Sequence, residues 1–287
     1  MTAPRPETEP FELAGGSGQT LRGESTGTGQ EIFLCHGLSA TRRYVVHGSL
    51  FLPRRGYRVT TWDARGHGES DPGPDGYGYE RLTADLDAVV ERAGSGRTAA
   101  GDGLVLGGHS MGCHTVVSWA LGNPDRVAAL ILIGPVYTGQ EEDPEMARWD
   151  ARADALESEG PEAFAEAVVG DMPQGSGRDT VYRLARDRAR LHRNPEAVAQ
   201  ALREVPRSRP FDQLGDLSRI DAPVLVVGSR DEIDPGHPLA AAESYAEEIP
   251  GSEFIVEDEG KPPLAWQGGM LSREIDGFLD RNGLGGR

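Results

Sequence analysis

A succession of short strand-like runs, each stopping at a glycine or an acidic residue, constrains this chain more than anything else in it. Ile32-Phe33-Leu34-Cys35 runs into His36-Gly37, Tyr57-Arg58-Val59-Thr60-Thr61-Trp62 into Asp63, and Leu104-Val105-Leu106 through Gly107 into Gly108. Ala129-Leu130-Ile131-Leu132-Ile133 ends in Gly134-Pro135, Val224-Leu225-Val226-Val227 in Gly228, and Phe254-Ile255-Val256 in Glu257. A strand covered on both faces has no solvated side, so its sequence reads as a continuous apolar run instead of an alternation. With helical segments between the runs, the pattern predicts an α/β fold: a mostly parallel central sheet covered by helices on both faces. The interval from 137 to 217 breaks the rhythm, with no strand-like run and several helix starts. Asn194-Pro195 places a cap before a proline suited to the first helical position, and Val198, Ala201, Leu202 and Val205 then share one face. Gly160-Pro161 opens a similar segment with Phe164, Val168 and Val169. The expected organisation is a core of 1–136 and 218–287 interrupted by a helical lid, 137–217. Residues 1–10, rich in proline and acid, are expected to be disordered.

The third run leads into Gly108-His109-Ser110-Met111-Gly112. Gly-x-Ser-x-Gly directly after a strand is the signature of a nucleophile elbow, a strained strand-to-helix turn whose glycines relieve the steric crowding around the serine. The turn also puts Ser110 at a helix N-terminus, where free N–H groups favour a developing negative charge.

Composition narrows the partners. The formal charge of −17 argues against nucleic acid and anionic membrane, both of which need a positive surface. No apolar run approaches the length of a membrane span, and the opening MTAPRPETEP has no signal-peptide pattern, so a cytoplasmic location is expected. Cys35 and Cys113 show no metal-ligand spacing and are expected to be buried and inert. No metal or cofactor is called for. The expected partner is a small-molecule or peptide substrate, and the sequence leaves the oligomeric state open.

With His36-Gly37-Leu38 at the end of an early strand and the elbow at the end of a later one, the chain resembles the α/β-hydrolase superfamily over nearly its whole length. The resemblance implies that the backbone N–H groups of Leu38 and Met111 form an oxyanion hole. It makes Asp63-Ala64-Arg65-Gly66-His67-Gly68-Glu69-Ser70 a scaffold turn. It also makes Asp231 the candidate acid, in Gly228-Ser229-Arg230-Asp231, with Glu232 and Asp234 in reserve.

The chain departs from the superfamily at the base. Where the pattern has Gly-His, this sequence reads Gly260-Lys261-Pro262-Pro263-Leu264. A lysine beside a carboxylate is held in its charged form and cannot accept a proton, so Lys261 acts as a base only if a dry pocket keeps it neutral. Otherwise it pairs with Asp231. His237 is a displaced alternative base, or else a cap or surface histidine. His36, His109, His237 and Arg183 are possible substrate contacts, although His109 and His114 also suit packing around the elbow. Arg183, Arg186, Arg188, Arg190 and Arg193 cluster in the lid, most of them expected on its exposed face and one or two turned inward.

Two functions from different chemistries follow. An oxyanion hole without a complete triad suits a non-hydrolytic enzyme on this scaffold, epimerising, isomerising or cyclising a carbonyl compound, as incomplete-triad members do in natural-product biosynthesis. The alternative is a serine hydrolase of esters, lactones or thioesters with Lys261 or His237 as base. A non-catalytic binding protein ranks third.

Overall fold

The structure, a computed structural model, describes residues 4–94, 103–139, 146–170, 172–230, 234 and 236–286. Its strands are β1 (Thr8–Ala14), β2 (Thr20–Thr26), β3 (Gln30–Cys35), β4 (Tyr57–Trp62), β5 (Leu104–His109), β6 (Val127–Ile133), β7 (Val224–Val227) and β8 (Glu253–Ile255). Its helices are α1 (Phe51–Arg54), α2 (Tyr79–Gly94), α3 (Met111–Gly122), α4 (Met146–Ser158), α5 (Pro161–Val169), α6 (Ser176–Ala189), α7 (Pro195–Glu204), α8 (Leu239–Glu248) and α9 (Gly268–Arg281). The strands form one 8-stranded sheet in the order β1-β2-β4-β3-β5-β6-β7-β8, parallel from β4 to β8. No described helix is long and apolar enough to cross a membrane.

The apolar runs are continuous because each strand serves two cores. Phe33, Cys35, Leu106, Leu130, Leu132, Val224 and Val226 face one way, against α2, α3 and α8. Their neighbours Ile32, Leu34, Val105, Ile131, Ile133, Leu225 and Val227 face the other, against α1 and α9. Cutting one of these fully buried branched chains back to alanine costs about 2–5 kcal/mol. β8 ends the parallel side as an edge strand, so Phe254 stays partly in solvent.

At the other edge the structure corrects the expectation of a disordered start. Residues 8–10 belong to β1, which pairs antiparallel with β2 from Thr8↔Thr26 to Ala14↔Thr20. β2 carries the signal: its burial alternates residue by residue through Leu21, Gly23 and Ser25. That is the two-residue period of a sheet with one wetted face, and it is visible only when small and polar residues count as buried.

Between β6 and β7 the described elements are helical, α4 to α7. Asn194 and Pro195 open α7, and Val198, Ala201 and Leu202 are buried on its inner face. Ala197 and Ala201 of α7, with Val205 just beyond its end, pack against Met111, with Leu38 alongside. The chain leaves β3 for β4 on one side and returns to β5 on the other. A crevice therefore opens between the carboxyl ends of β3 and β5, the place where open α/β sheets bind ligands.

Candidate active site

Ser110 occupies the bend between β5 and α3 with φ 53° and ψ −116°. A non-glycine residue held there stores on the order of 1–3 kcal/mol of strain, which its surroundings must enforce. A Cβ on Gly108 would strike the Gly112 backbone, and one on Gly112 would strike the Cys35 carbonyl. The motif glycines thus let β5, α3 and β3 close on one another, with Ser110 partly exposed at the tip of the turn. Its N–H donates to the Ile133 carbonyl at 3.0 Å.

Met111 opens α3, so its N–H is one of the first-turn donors that a helix leaves unpaired. Leu38 follows β3 across the crevice. Among the described residues neither N–H has a hydrogen-bond acceptor. The loop carrying Leu38 is fixed by Ala40 N–H to the Gly37 carbonyl at 3.1 Å. His192 fixes it from the helical segment, its Nε2 3.2 Å from the Ser39 carbonyl while its Nδ1 accepts from Gly68 N–H at 2.8 Å.

Two of the elbow's histidines are scaffold. His36 accepts from Ala64 N–H at Nε2 (2.9 Å), and its Nδ1 lies 2.8 Å from the Gly37 carbonyl. Burial, then neighbouring positive charge, pushes its pKa down to about 3. Both ring nitrogens are occupied by backbone, which corrects its expected role as a substrate contact. His114 accepts from the N–H groups of Val136 and Tyr137, each at 3.1 Å, and faces the Tyr79 hydroxyl at 3.0 Å. Burial lowers it to about 3 as well. The Asp63–Ser70 turn is structural in the same sense: fully buried Arg65 makes two bonds to Asp85, at 2.7 and 2.8 Å, and one to Asp75 at 2.9 Å.

His109 is placed differently. Its ring lies across the sheet edge, since a Cβ on Gly37 would come within 2.9 Å of its Nδ1 and one on Gly134 within 3.5 Å of its Nε2. It meets the rings of His237 at 4.8 Å and Trp266 at 5.3 Å between centroids. Burial, followed by the charges of His237 and Arg188, holds it well below the usual histidine range, so it stays neutral.

Asp231 and Glu232 lie outside the described residues. Asp234 is described, and its Oδ2 is 2.8 Å from His237 Nδ1. Burial pushes the Asp234 carboxyl up, but the hydrogen bond from His237 and the charges of His237 and Arg188 outweigh it and hold the group below its ordinary range. A carboxylate only accepts, so His237 Nδ1 donates the proton of this bond.

Lys261 is corrected by the structure. The chain turns after β8 with Gly260 at φ 74°, and the Lys261 side chain is exposed, away from any dry pocket. The buried group of this loop is Glu257, which accepts from Ser229 Oγ at 3.0 Å, from Arg230 N–H, and from Leu264 N–H at 3.1 Å.

The arginine cluster divides as its chemistry suggests. Arg183 is exposed and donates to the Asp179 carbonyl at 3.3 Å. Arg186 pairs with Asp187 at 2.7 Å and Arg190 with Glu162. Arg188 turns inward, its guanidinium carbon 4.9 Å from the ring centre of Tyr44 and 4.9 Å from that of Trp266. Tyr44, Trp266 and His47 carry no motif, and sequence reasoning passes over them. Both cysteines are buried, and burial raises their thiols above the ordinary range. Among the described residues no His/Cys/Asp/Glu group could hold a metal ion.

A serine elbow at the switch point of a parallel sheet, with paired backbone donors beside it, defines an α/β-hydrolase. The comparisons agree: the family described as serine aminopeptidase, S33, matches residues 28–204, more than half of the chain, and the chain belongs to it. A non-heme chloroperoxidase of Streptomyces lividans is 30% identical over 237 residues, 78% of this chain and 79% of its own. A malate-bound thermophilic esterase from Thermogutta terrifontis superposes with a TM-score of 0.76 at 27% identity, covering 96% of this chain and 99% of its own. An enol-lactonase from Burkholderia xenovorans shares the fold, with a TM-score of 0.69 at 22% identity over 96% of this chain and 99% of its own.

Proposed function

We propose that this chain is a serine hydrolase of carboxylic esters or lactones whose base has moved from the loop after β8 to the loop after β7. The observation that carries this reading is the 2.8 Å bond between Asp234 and His237, whose ring lies against His109, the residue before Ser110. The esterase and lactonase named among the structural relatives support hydrolysis over epimerisation, isomerisation or cyclisation, and none of them is named for natural-product work. In this mechanism His237 Nε2 takes the Ser110 hydroxyl proton as Oγ attacks the acyl carbon. Asp234 orients the imidazole and stabilises its charged form. The N–H groups of Leu38 and Met111 receive the oxyanion. The imidazolium returns its proton to the leaving alkoxide, and water then releases the acyl group by the same steps. The helices α4–α7 serve as the lid.

The test is turnover of p-nitrophenyl butyrate. The wild-type chain is expected to show burst kinetics from an acyl-enzyme, and Ser110→Ala to lose about 10⁴-fold or more in kcat. Equal turnover by the two proteins contradicts the reading.

A further inference from the structure

Arg188 is the one inward cation of the lid cluster, and its surroundings do not account for it as scaffold. The side chain leaves α6 and its guanidinium carbon comes to rest over the rings of Tyr44 and Trp266, 4.9 Å from the centre of each. Its Nε is sealed from solvent and makes no hydrogen bond. Among the described residues the guanidinium has no ion-pair partner within 4 Å, Asp234 included, although Asp234 lies close enough to feel its charge. The Arg188 side chain is half-buried, and its Nε has given up hydration without a replacement bond, an arrangement that folding alone disfavours. Burial accordingly lowers the Arg188 guanidinium below its ordinary range, with Tyr44 and Asp234 opposing.

Its place relative to the elbow gives it a use. Trp266 is shared: one contact reaches Arg188, another the ring of His109, the residue joined to Ser110. His47 closes the same wall, 5.6 Å from Trp266 and 5.9 Å from Tyr44, with its own Nε2 buried and unbonded. Of the Arg188 nitrogens only Nε is sealed without a partner, so the Nη donors of the planar fork stay open, and such a fork matches a carboxylate in two parallel bonds.

We propose that Arg188, held against Tyr44 and Trp266, is the receptor for a carboxylate on the substrate, so that the chain acts on esters or lactones that carry a free carboxylate on the acyl part. This rests on the hydrolase reading above and adds the substrate class. The lid then does more than exclude water: α6 delivers the charge that selects which acyl groups are held over the elbow. Arg183 and Arg190, within two turns on the same segment, stay in solvent and take no part.

Two measurements separate this claim from the hydrolase reading. In the first, kcat/KM is compared for the p-nitrophenyl monoester of succinate and for neutral p-nitrophenyl butyrate. Arg188→Met is expected to lower the ratio of acidic to neutral ester at least tenfold, chiefly through KM, with Arg188→Lys intermediate because an ammonium keeps the charge and loses the fork. Arg183→Met, an exposed control, is expected to keep the wild-type ratio. An unchanged ratio in both Arg188 variants overturns the proposal. The second needs no turnover: calorimetric titration of succinate into Ser110→Ala is expected to show binding that weakens at least tenfold when Arg188→Met is added, and equal binding by the two overturns it. If esters are not turned over but succinate binding depends on Arg188, the hydrolase reading fails and the carboxylate site stands. Should Arg188→Met fail to fold, Arg188→Lys carries both measurements, and a wild-type ratio and affinity in it overturn the proposal.

Discussion

The loops after β7 and β8 each set a carboxylate at the carboxyl edge of the sheet, and they differ in what the carboxylate meets. After β8, Glu257 accepts from Ser229 Oγ and Arg230 N–H, which stitch its loop to the β7 loop, and from Leu264 N–H of its own loop. After β7, Asp234 meets His237, whose other nitrogen takes part in no bond to the scaffold among the described residues. The superfamily pattern puts the acid on one of these loops and the base on the other. Here one loop carries both candidates, and the loop that lacks a histidine has become structural. A polar group consumed by the fold and one left with a free valence are told apart by counting partners, not by burial.

The comparison is broken most directly at His237. His237→Gln is expected to cost about 10³–10⁴-fold in kcat and Asp234→Asn about tenfold less, with the fold intact, because only the proton path is cut. Steady-state kinetics with p-nitrophenyl butyrate reads both, and a twofold effect at His237 would place the base elsewhere.

The scaffold histidines give the next effect. His36, His114 and His192 are held neutral down to about 3 in the folded chain, each chiefly by burial, against about 6.5 when unfolded. The unfolded state therefore binds the extra protons in this window, and stability falls as pH drops from about 6.5 towards 3, by up to about 1.4 kcal/mol per pH unit for each group. Urea unfolding at pH 7 and pH 5 tests this, and equal midpoints would refute it.

Glu257→Gln removes an acceptor from a network whose donors stay buried. Burial pushes this carboxyl up, and the N–H groups of Arg230 and Leu264 more than compensate, so the charged form is the stabilising one. The substitution is expected to cost about 1–3 kcal/mol in unfolding free energy. A change confined to kcat would instead mark Glu257 as part of the chemistry.

Lys261→Ala gives the smallest effect. An exposed side chain at this loop is expected to change stability by less than about 0.5 kcal/mol and activity by less than about twofold. A larger loss of activity would restore Lys261 to the site.

Much of this was legible in the chain. The apolar runs specified the parallel sheet because both faces of each strand are buried, and the Gly-x-Ser-x-Gly turn located Ser110 because no other spacing lets α3 approach β3 so closely. The β1–β2 hairpin was not, since its inward positions are held partly by Gly23 and Ser25. Pattern also put Lys261 in the histidine's place, where only packing shows that the loop turns it to solvent. His237 was visible as an alternative, yet its bond to Asp234 depends on how the loop folds back over three residues. Arg188 could not be told from Arg183, Arg186 or Arg190, because which residue of a cationic helix points inward is set by the rings waiting for it.

The central claim is that His237, and not Lys261, activates Ser110. The rate of labelling by a fluorophosphonate reads that activation directly, without a chosen substrate. The account predicts rapid labelling of the wild-type chain and of Lys261→Ala, none of Ser110→Ala, and labelling slowed about 10³-fold or more in His237→Gln. Rapid labelling of His237→Gln together with slow labelling of Lys261→Ala would contradict it.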